Sequence, residues 1–123
     1  MSPSWAATDI AELDATEELH IAGVTTDGVL RKPVIIWMVT LDGGLYVRSV
    51  NGSDAAWFRG TQAQGRGHIS AGAVDRDVTF TSVSDRDDDL DAAYHAKYRS
   101  YPADADGITT AKARATTLRV DPA

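Results

Sequence analysis

Eight consecutive residues, Val34-Ile35-Ile36-Trp37-Met38-Val39-Thr40-Leu41, run into Asp42-Gly43-Gly44 and out again into Leu45-Tyr46-Val47. A β-branched, apolar run bounded by turn residues suits a strand better than a helix. An aspartate followed by two glycines supplies the positive backbone angles that a tight hairpin demands. Residues 34–50 therefore read as two antiparallel strands. The first is apolar on both faces, so it is expected to be central and buried.

The rest of the chain extends this β pattern. Residues 19–25 alternate weakly and read as a first strand, closed by the turn signal Thr26-Asp27-Gly28. Residues 68–71 and 77–84 read as a fourth and a fifth strand. In the latter, Val78, Phe80 and Ser82 alternate with Thr79, Thr81 and Val83. Thr116, Leu118 and Val120 mark a closing strand. Short helices fill the intervals. One is expected after Thr8, taken as its cap, with Ile10 and Leu13 facing the core and Trp5 packed beneath. A second spans about residues 53–64 and is stopped by Gly65-Arg66-Gly67. A third spans about 88–100, with the acids of residues 85–89 at its start and Leu90, Tyr94, Tyr98 and Tyr101 as a stripe. Residues 102–107 read as a loop, and 108–112 fit no one element. Six hairpin-linked strands in so short a chain favour closure into a small barrel, which removes exposed edges. The expected class is mainly β with flanking helices, one domain over residues 1–123 with its core at about 18–121.

Function points to residues 45–58. A strand ends in Arg48 and Ser49, turns through Asn51, Gly52 and Ser53, and runs into a helix start that presents Trp57. A guanidinium, a hydroxyl and a helix N-terminus brought together suit a phosphate or another anion. The same Arg48 reads equally as a strand-end arginine paired with one of the chain's 18 acids. Trp37 and Trp57 read either as core or as walls for a planar ring.

Composition removes other classes. There is no cysteine, hence no disulfide, thiolate metal site or cysteine nucleophile, which fits a reducing cytoplasm. The net charge of −6 argues against broad nucleic-acid binding. The longest apolar run is far below the roughly 20 residues that span a bilayer, and residues 1–9 carry no signal-peptide pattern. His20, His68 and His95 show no metal-ligand spacing; His68, beside the glycine-bounded turn, is the one to watch. Asp85, Asp87 and Asp89 begin like a calcium loop, but Leu90 stands where that loop needs glycine and Ala96 where it needs glutamate. No metal is expected.

The set Asp27-Gly28, Arg31, Pro33, Ile36-Trp37, Asp42-Gly43, Tyr46-Val47-Arg48-Ser49, Asn51-Gly52, Trp57-Phe58-Arg59 and Gly65-Arg66-Gly67 resembles domain-of-unknown-function family 2255. That family is similar to the split-barrel flavin-binding superfamily, which includes pyridoxamine 5′-phosphate oxidase-like proteins and deazaflavin-dependent nitroreductases. The resemblance implies a six-stranded antiparallel split barrel and a homodimer with a cofactor cleft between subunits. It implies flavin mononucleotide or a deazaflavin as cofactor and oxidoreduction of a small organic substrate. Arg31 and Pro33 match the strand beside the ring, with Trp37 on that strand. Arg48, Ser49, Asn51 and Gly52 match the phosphate-binding strand end, and Trp57 the following helix. The lysine-rich phosphate clamp of pyridoxamine-phosphate oxidases is replaced by Gly52-Ser53-Asp54. That departure favours the alternative: a cofactor-free split barrel that binds a small apolar ligand or catalyses a non-redox rearrangement.

Overall fold

The computed structural model describes residues 4–123. Strands β1 (Leu19–Gly23), β2 (Val34–Ile36), β3 (Met38–Leu41), β4 (Gly44–Val47), β5 (Arg66–Ala71), β6 (Val74–Ser82) and β7 (Leu118–Pro122) form one antiparallel sheet in the order β2-β1-β5-β6-β7-β4-β3. The helices are α1 (Ala7–Ala15), α2 (Ala56–Gln64), α3 (Asp87–Lys97), α4 (Pro102–Gly107) and α5 (Ala111–Arg114), with a 3-10 turn at Gly52–Asp54.

The two edge strands of this order, β2 and β3, are neighbours in the chain and are separated only by Trp37. β2 pairs with β1, Leu19 opposite Ile36, whereas β3 pairs with β4, Met38 opposite Val47. The run 34–41 thus joins the two edges and nearly closes the sheet into a barrel. This corrects the expectation of one central strand: the run changes partner at Trp37. It also accounts for seven strands where six were expected. The hairpin at Asp42-Gly43 is as expected, with φ of 50° and 80°, the two positive angles that suit the twist of paired strands.

Other boundaries move for local reasons. α1 starts at Ala7 with Ala6 at its cap and no capping side chain, so Thr8 lies inside the helix. Trp5 is buried and its indole N–H donates to the Val120 carbonyl at 2.8 Å. The helix expected from about residue 53 begins at Ala56, after the 3-10 turn. α2 stops at Gly65 in the left-handed conformation, φ 67°, as its glycine predicts. Residues 102–107 form a helix and not a loop: Pro102 stands in its first turn, where its fixed φ favours helix and its missing N–H costs nothing. Thr110 caps α5, its hydroxyl accepting from the Ala113 N–H.

Two apolar clusters result. Leu19, Ile21, Met38, Leu45, Ile69, Val78, Leu118 and their neighbours form the main core. Val39, Tyr46, Leu90, Tyr94, Tyr98, Ala105 and Ile108 form a second one, which holds α3 and α4 against the sheet. α2 lies close on β1: a Cβ on Gly23 would stand 2.6 Å from the Gly60 carbonyl oxygen. No helix among the described residues is long and apolar enough to cross a membrane.

Candidate functional site

One cleft encloses about 450 Å³. Residues 34–37 contribute one stretch of lining, residues 48–51 a second, Trp57 a third, and α4 with Ile108 a fourth. Five residues singled out from the sequence thus meet here: Trp37, Arg48, Ser49, Asn51 and Trp57. Arg31, Pro33 and Gly52 do not line it.

Trp37 is held flat. Its ring stacks on Tyr98 at 3.8 Å between centroids with the planes 6° apart. The Tyr98 hydroxyl in turn accepts from the Met38 N–H at 3.0 Å and lies 2.7 Å from the Glu17 carbonyl, to which it donates. Burial pushes the Tyr98 and Tyr94 hydroxyls well above the ordinary tyrosine range. Neither lines the cleft; both belong to the second core. Tyr101, expected in the same buried stripe, is 44% exposed because α3 ends at Lys97.

Arg48 is turned inward and its side chain is fully buried. Its Nε donates to Thr117 Oγ1 at 2.9 Å. One terminal nitrogen donates to Asp91 Oδ1 at 2.5 Å and to the Ile108 carbonyl at 3.3 Å. The other donates to the carbonyl and the carboxylate of Asp87 at 3.3 and 3.5 Å. A guanidinium has five N–H donors, and all five have partners here. Of its two sequence readings, Arg48 adopts the paired one, with no N–H left for a ligand phosphate. Asp91 also receives Arg114. Burial pushes the Asp91 carboxyl up, but the bonds from Arg114 and Arg48 outweigh it and hold the group below the ordinary carboxylate range.

Ser49 differs. Its N–H donates to Thr116 Oγ1 at 2.8 Å, which fixes the strand end to the segment before β7. Ser49 lines the cleft, and its hydroxyl is buried with no partner among the described residues. A buried hydroxyl left unpaired costs roughly 1–3 kcal/mol. Gly52 follows with φ of 75° and carries the stem of Lys112: a Cβ at this position would stand 2.5 Å from Lys112 Cγ. The sequence reading missed Lys112, Asp104 and Ile108. Their only signal was Thr110 as a helix cap, too weak to place α4 at the cleft or Lys112 of α5 against Gly52.

A smaller hollow of about 280 Å³ is lined by Arg31, Ala56, Arg59 and Gly60. The first turn of α2 therefore serves two cavities, giving Trp57 to the large cleft and Ala56 and Arg59 to the hollow. Arg31 is anchored by its N–H, which donates to the Gly23 carbonyl at 2.9 Å. Its side chain lies on Gly60, where a Cβ would stand 3.1 Å from Arg31 Cδ and 3.3 Å from Nε. Neither guanidinium forms an ion pair among the described residues.

Among the described residues, no three His, Asp or Glu side chains gather as metal ligands. His68 sits between two carboxylates, Nδ1 2.8 Å from Asp77 and Nε2 against Asp75. The acids at the start of α3 occupy its first turn, where the helix dipole favours them.

A seven-stranded antiparallel, nearly closed barrel of this connectivity, with its cleft beside the strand switch at Trp37, is a split barrel. The chain belongs to the family described as "Uncharacterized protein conserved in bacteria (DUF2255)", whose pattern it matches over residues 9–120. Among solved structures it is similar to HutZ, a heme storage protein from Vibrio cholerae, with a TM-score of 0.67, 14% identity, and 95% of this chain and 89% of that one covered. It is also similar to a FAD-binding protein from Mesorhizobium loti, with a TM-score of 0.59, 17% identity, and 100% and 94% covered. An F420 reductase aligns with a TM-score of 0.56, 17% identity, and 92% and 91% covered. None of the curated proteins matches the chain.

Proposed function

We propose that this protein binds flavin mononucleotide or a deazaflavin and serves oxidoreduction of a small organic substrate in the cytoplasm. The observation that carries this reading is a cleft of about 450 Å³ with Trp37 and Trp57 in its lining and a buried, unpartnered Ser49 hydroxyl. That volume lies within the range of small-molecule sites. A flat, heteroatom-edged ring suits such a lining: indole surface for its faces, and Ser49 and Asn51 for its polar edge. The split-barrel neighbours described as binding FAD or reducing F420 support the same reading. A heme ligand is disfavoured because the lining holds no His, Cys, Met or Tyr to reach an iron.

The phosphate is assigned to a different place from the one the sequence suggested. Arg48 is consumed by the fold, whereas Arg31 and Arg59 converge without acidic partners on the hollow across the first turn of α2. Two unpaired guanidiniums in a chain of net charge −6 mark an anion site. Pro33 sets the direction of the chain from Arg31 into β2. When bound, the flavin supplies the hydride chemistry. The residues of this chain orient the ring, exclude water from it, and offer the Ser49 hydroxyl as donor or acceptor at its edge.

A homodimer belongs to the proposal. Ile35 and Val50 line the cleft yet are 55% and 50% exposed, and a second copy would cover them. Light scattering is expected to give twice the 13.2 kDa of one chain; a monomer would remove this part.

The test is a tryptophan-quenching titration with flavin mononucleotide, riboflavin and a deazaflavin, alongside hemin. Saturable flavin binding that weakens in Arg31→Gln and Arg59→Gln for the phosphorylated form only would support the reading. Failure of every flavin would favour the cofactor-free alternative. Asp104, the one carboxylate of the lining, and the internal engagement of Arg48 are the observations on its side.

A further inference from the structure

We propose that Lys97 is a nucleophilic amine that captures small neutral aldehydes as a Schiff base, in a hollow separate from the cleft. The two cavities share no lining residue, so the inference stands apart from the flavin reading.

Lys97 is the last residue of α3 and its side chain is half-buried. Its Nζ donates to the Leu13 carbonyl, in the last turn of α1, at 3.1 Å. The same nitrogen stands 5.4 Å from the centroid of the Tyr98 ring. Both partners are uncharged. Among the described residues no carboxylate comes within ion-pair distance of Lys97, whereas Arg48, Arg86, Arg114 and Arg119 each hold an acid. A half-buried ammonium without a paired counter-charge loses hydration that nothing repays, which favours the neutral amine. That is the form that attacks a carbonyl, and desolvated lysines are the usual Schiff-base formers.

The bond to Leu13 taken alone is a helix-end contact. The second observation is the hollow of about 310 Å³, which Lys97 lines together with Asp14, Ala15, Glu17, Ser100 and Tyr101. The Leu13 carbonyl that holds Nζ is followed directly by Asp14 and Ala15, so the amine is fixed beside the lining. The volume suits a molecule of a few heavy atoms. The carboxylates of Asp14 and Glu17 oppose an anion, which makes a neutral carbonyl compound the fitting electrophile.

The charged and titratable groups facing Lys97 do not cancel its desolvation. Burial lowers its pKa to about 8, with Asp14 and Glu17 acting against that shift. Burial also pushes the Tyr98 hydroxyl up, and the Glu17 bond does so for Tyr101, with Glu18 adding to both; the two phenols stay neutral. At pH 7.5 about a quarter of an amine of pKa near 8 is free, against roughly one part in a thousand for an ordinary lysine.

The step balances without an oxidant or reductant. The Nζ lone pair forms a C–N bond to the aldehyde carbon, and a proton passes from nitrogen to the carbonyl oxygen. The C–O bond then breaks, water departs, and the nitrogen lone pair closes the C=N bond. One amine and one aldehyde give one imine and one water.

The experiment treats the full chain with propanal and cyanoborohydride at pH 7.5, which reduces each imine to a stable secondary amine. Digestion and mass spectrometry then compare Lys32, Lys97 and Lys112, the chain's three lysines. Lower basicity and partial burial offset part of the gain in free amine, so Lys97 is expected to react about tenfold faster than the other two. The excess should vanish in urea, where the packing against Leu13 and Tyr98 is gone. It should shrink when glyoxylate replaces propanal, and recover for glyoxylate in Glu17→Gln. Trace acetylation as a function of pH reads the amine directly, with a midpoint near 8 expected at Lys97. Equal labelling of the three lysines, an excess that persists in urea, or an acetylation midpoint above 10 would overturn the capture site. An undiminished excess with glyoxylate would overturn the neutral class of its ligand.

Discussion

The guanidinium of Arg48, at the end of β4, reaches the carboxylate of Asp91 on α3 at 2.5 Å, with the arginine fully buried and the aspartate side chain 18% exposed. The pair ties together four parts of the cleft's surroundings: the strand end, α3, the end of α4 through the Ile108 carbonyl, and the start of β7 through Thr117. An arginine that sequence reasoning places on a ligand is here the hub that holds the cleft's frame. Removing one partner of a buried pair leaves the other charge uncompensated, at a cost of about 3 kcal/mol. Arg48→Ala and Asp91→Ala should each lower the melting temperature by on the order of 10 °C. A loss of flavin affinity in Arg48→Ala with no loss of stability would return Arg48 to the ligand.

The same pair sets an acid limit. Asp91 has a folded-state pKa below its ordinary value. Its contribution is therefore present above the unfolded pKa, near 4, and is lost as pH falls through the folded one. Urea unfolding of the parent and Asp91→Asn should differ most at neutral pH and converge toward pH 3. A gap that stays constant with pH would separate the stability from this carboxylate.

His68 acts in the opposite sense. The Asp77 bond raises its pKa most, burial opposes, and Asp75 adds to the rise. A raised folded pKa gives stability that is complete below about 6.5 and is lost as pH rises through the folded value. The melting temperature of the parent relative to His68→Gln should decline across that window as pH rises, with the imidazole's nuclear resonances titrating above the ordinary histidine range. A relative melting temperature that rises with pH would show that the imidazolium is not the favoured form.

Ser49→Ala removes a buried hydroxyl that has no partner in the protein. The apo protein should be unchanged or more stable by about 1 kcal/mol, while affinity for flavin falls. Chemical denaturation and the quenching titration on the same sample read both effects. A clear destabilisation would mean that the hydroxyl is already satisfied without ligand.

Gly60 is a helix-interior glycine with Arg31 lying on it. Alanine there gains helix propensity of about 1 kcal/mol but intrudes on Arg31 Cδ. Gly60→Ala should hold or raise stability and lower the preference for flavin mononucleotide over riboflavin. Gly67→Ala is different in kind: its Cβ would stand 2.0 Å from the Ala22 carbonyl oxygen, so β1 and β5 could not pair and the barrel should not form. Circular dichroism separates the two variants.

The sequence by itself determined the elements whose cause is local. The Asp42-Gly43 hairpin, the left-handed stop at Gly65, the alternation through Val78 and Phe80 and the closing strand around Leu118 are written in turn chemistry and periodicity over a few residues. So is the gathering of Trp37, Ser49, Asn51 and Trp57 near one hairpin, because the turn after β4 and the start of α2 are close in the chain. Tertiary structure decided the rest. The run 34–41 splits at Trp37 because a closing barrel gives its two halves different partners, information held in β1 and β4. Whether Arg48 meets a ligand or Asp91, 43 residues away, depends on where α3 packs, and a buried guanidinium settles on the acids that reach it. Lys112 and Gly52, Arg31 and Gly60 are likewise pairs made by close approach of distant backbone. No period or motif encodes such an approach, so a side chain's partner across the fold becomes legible only when the packing is known.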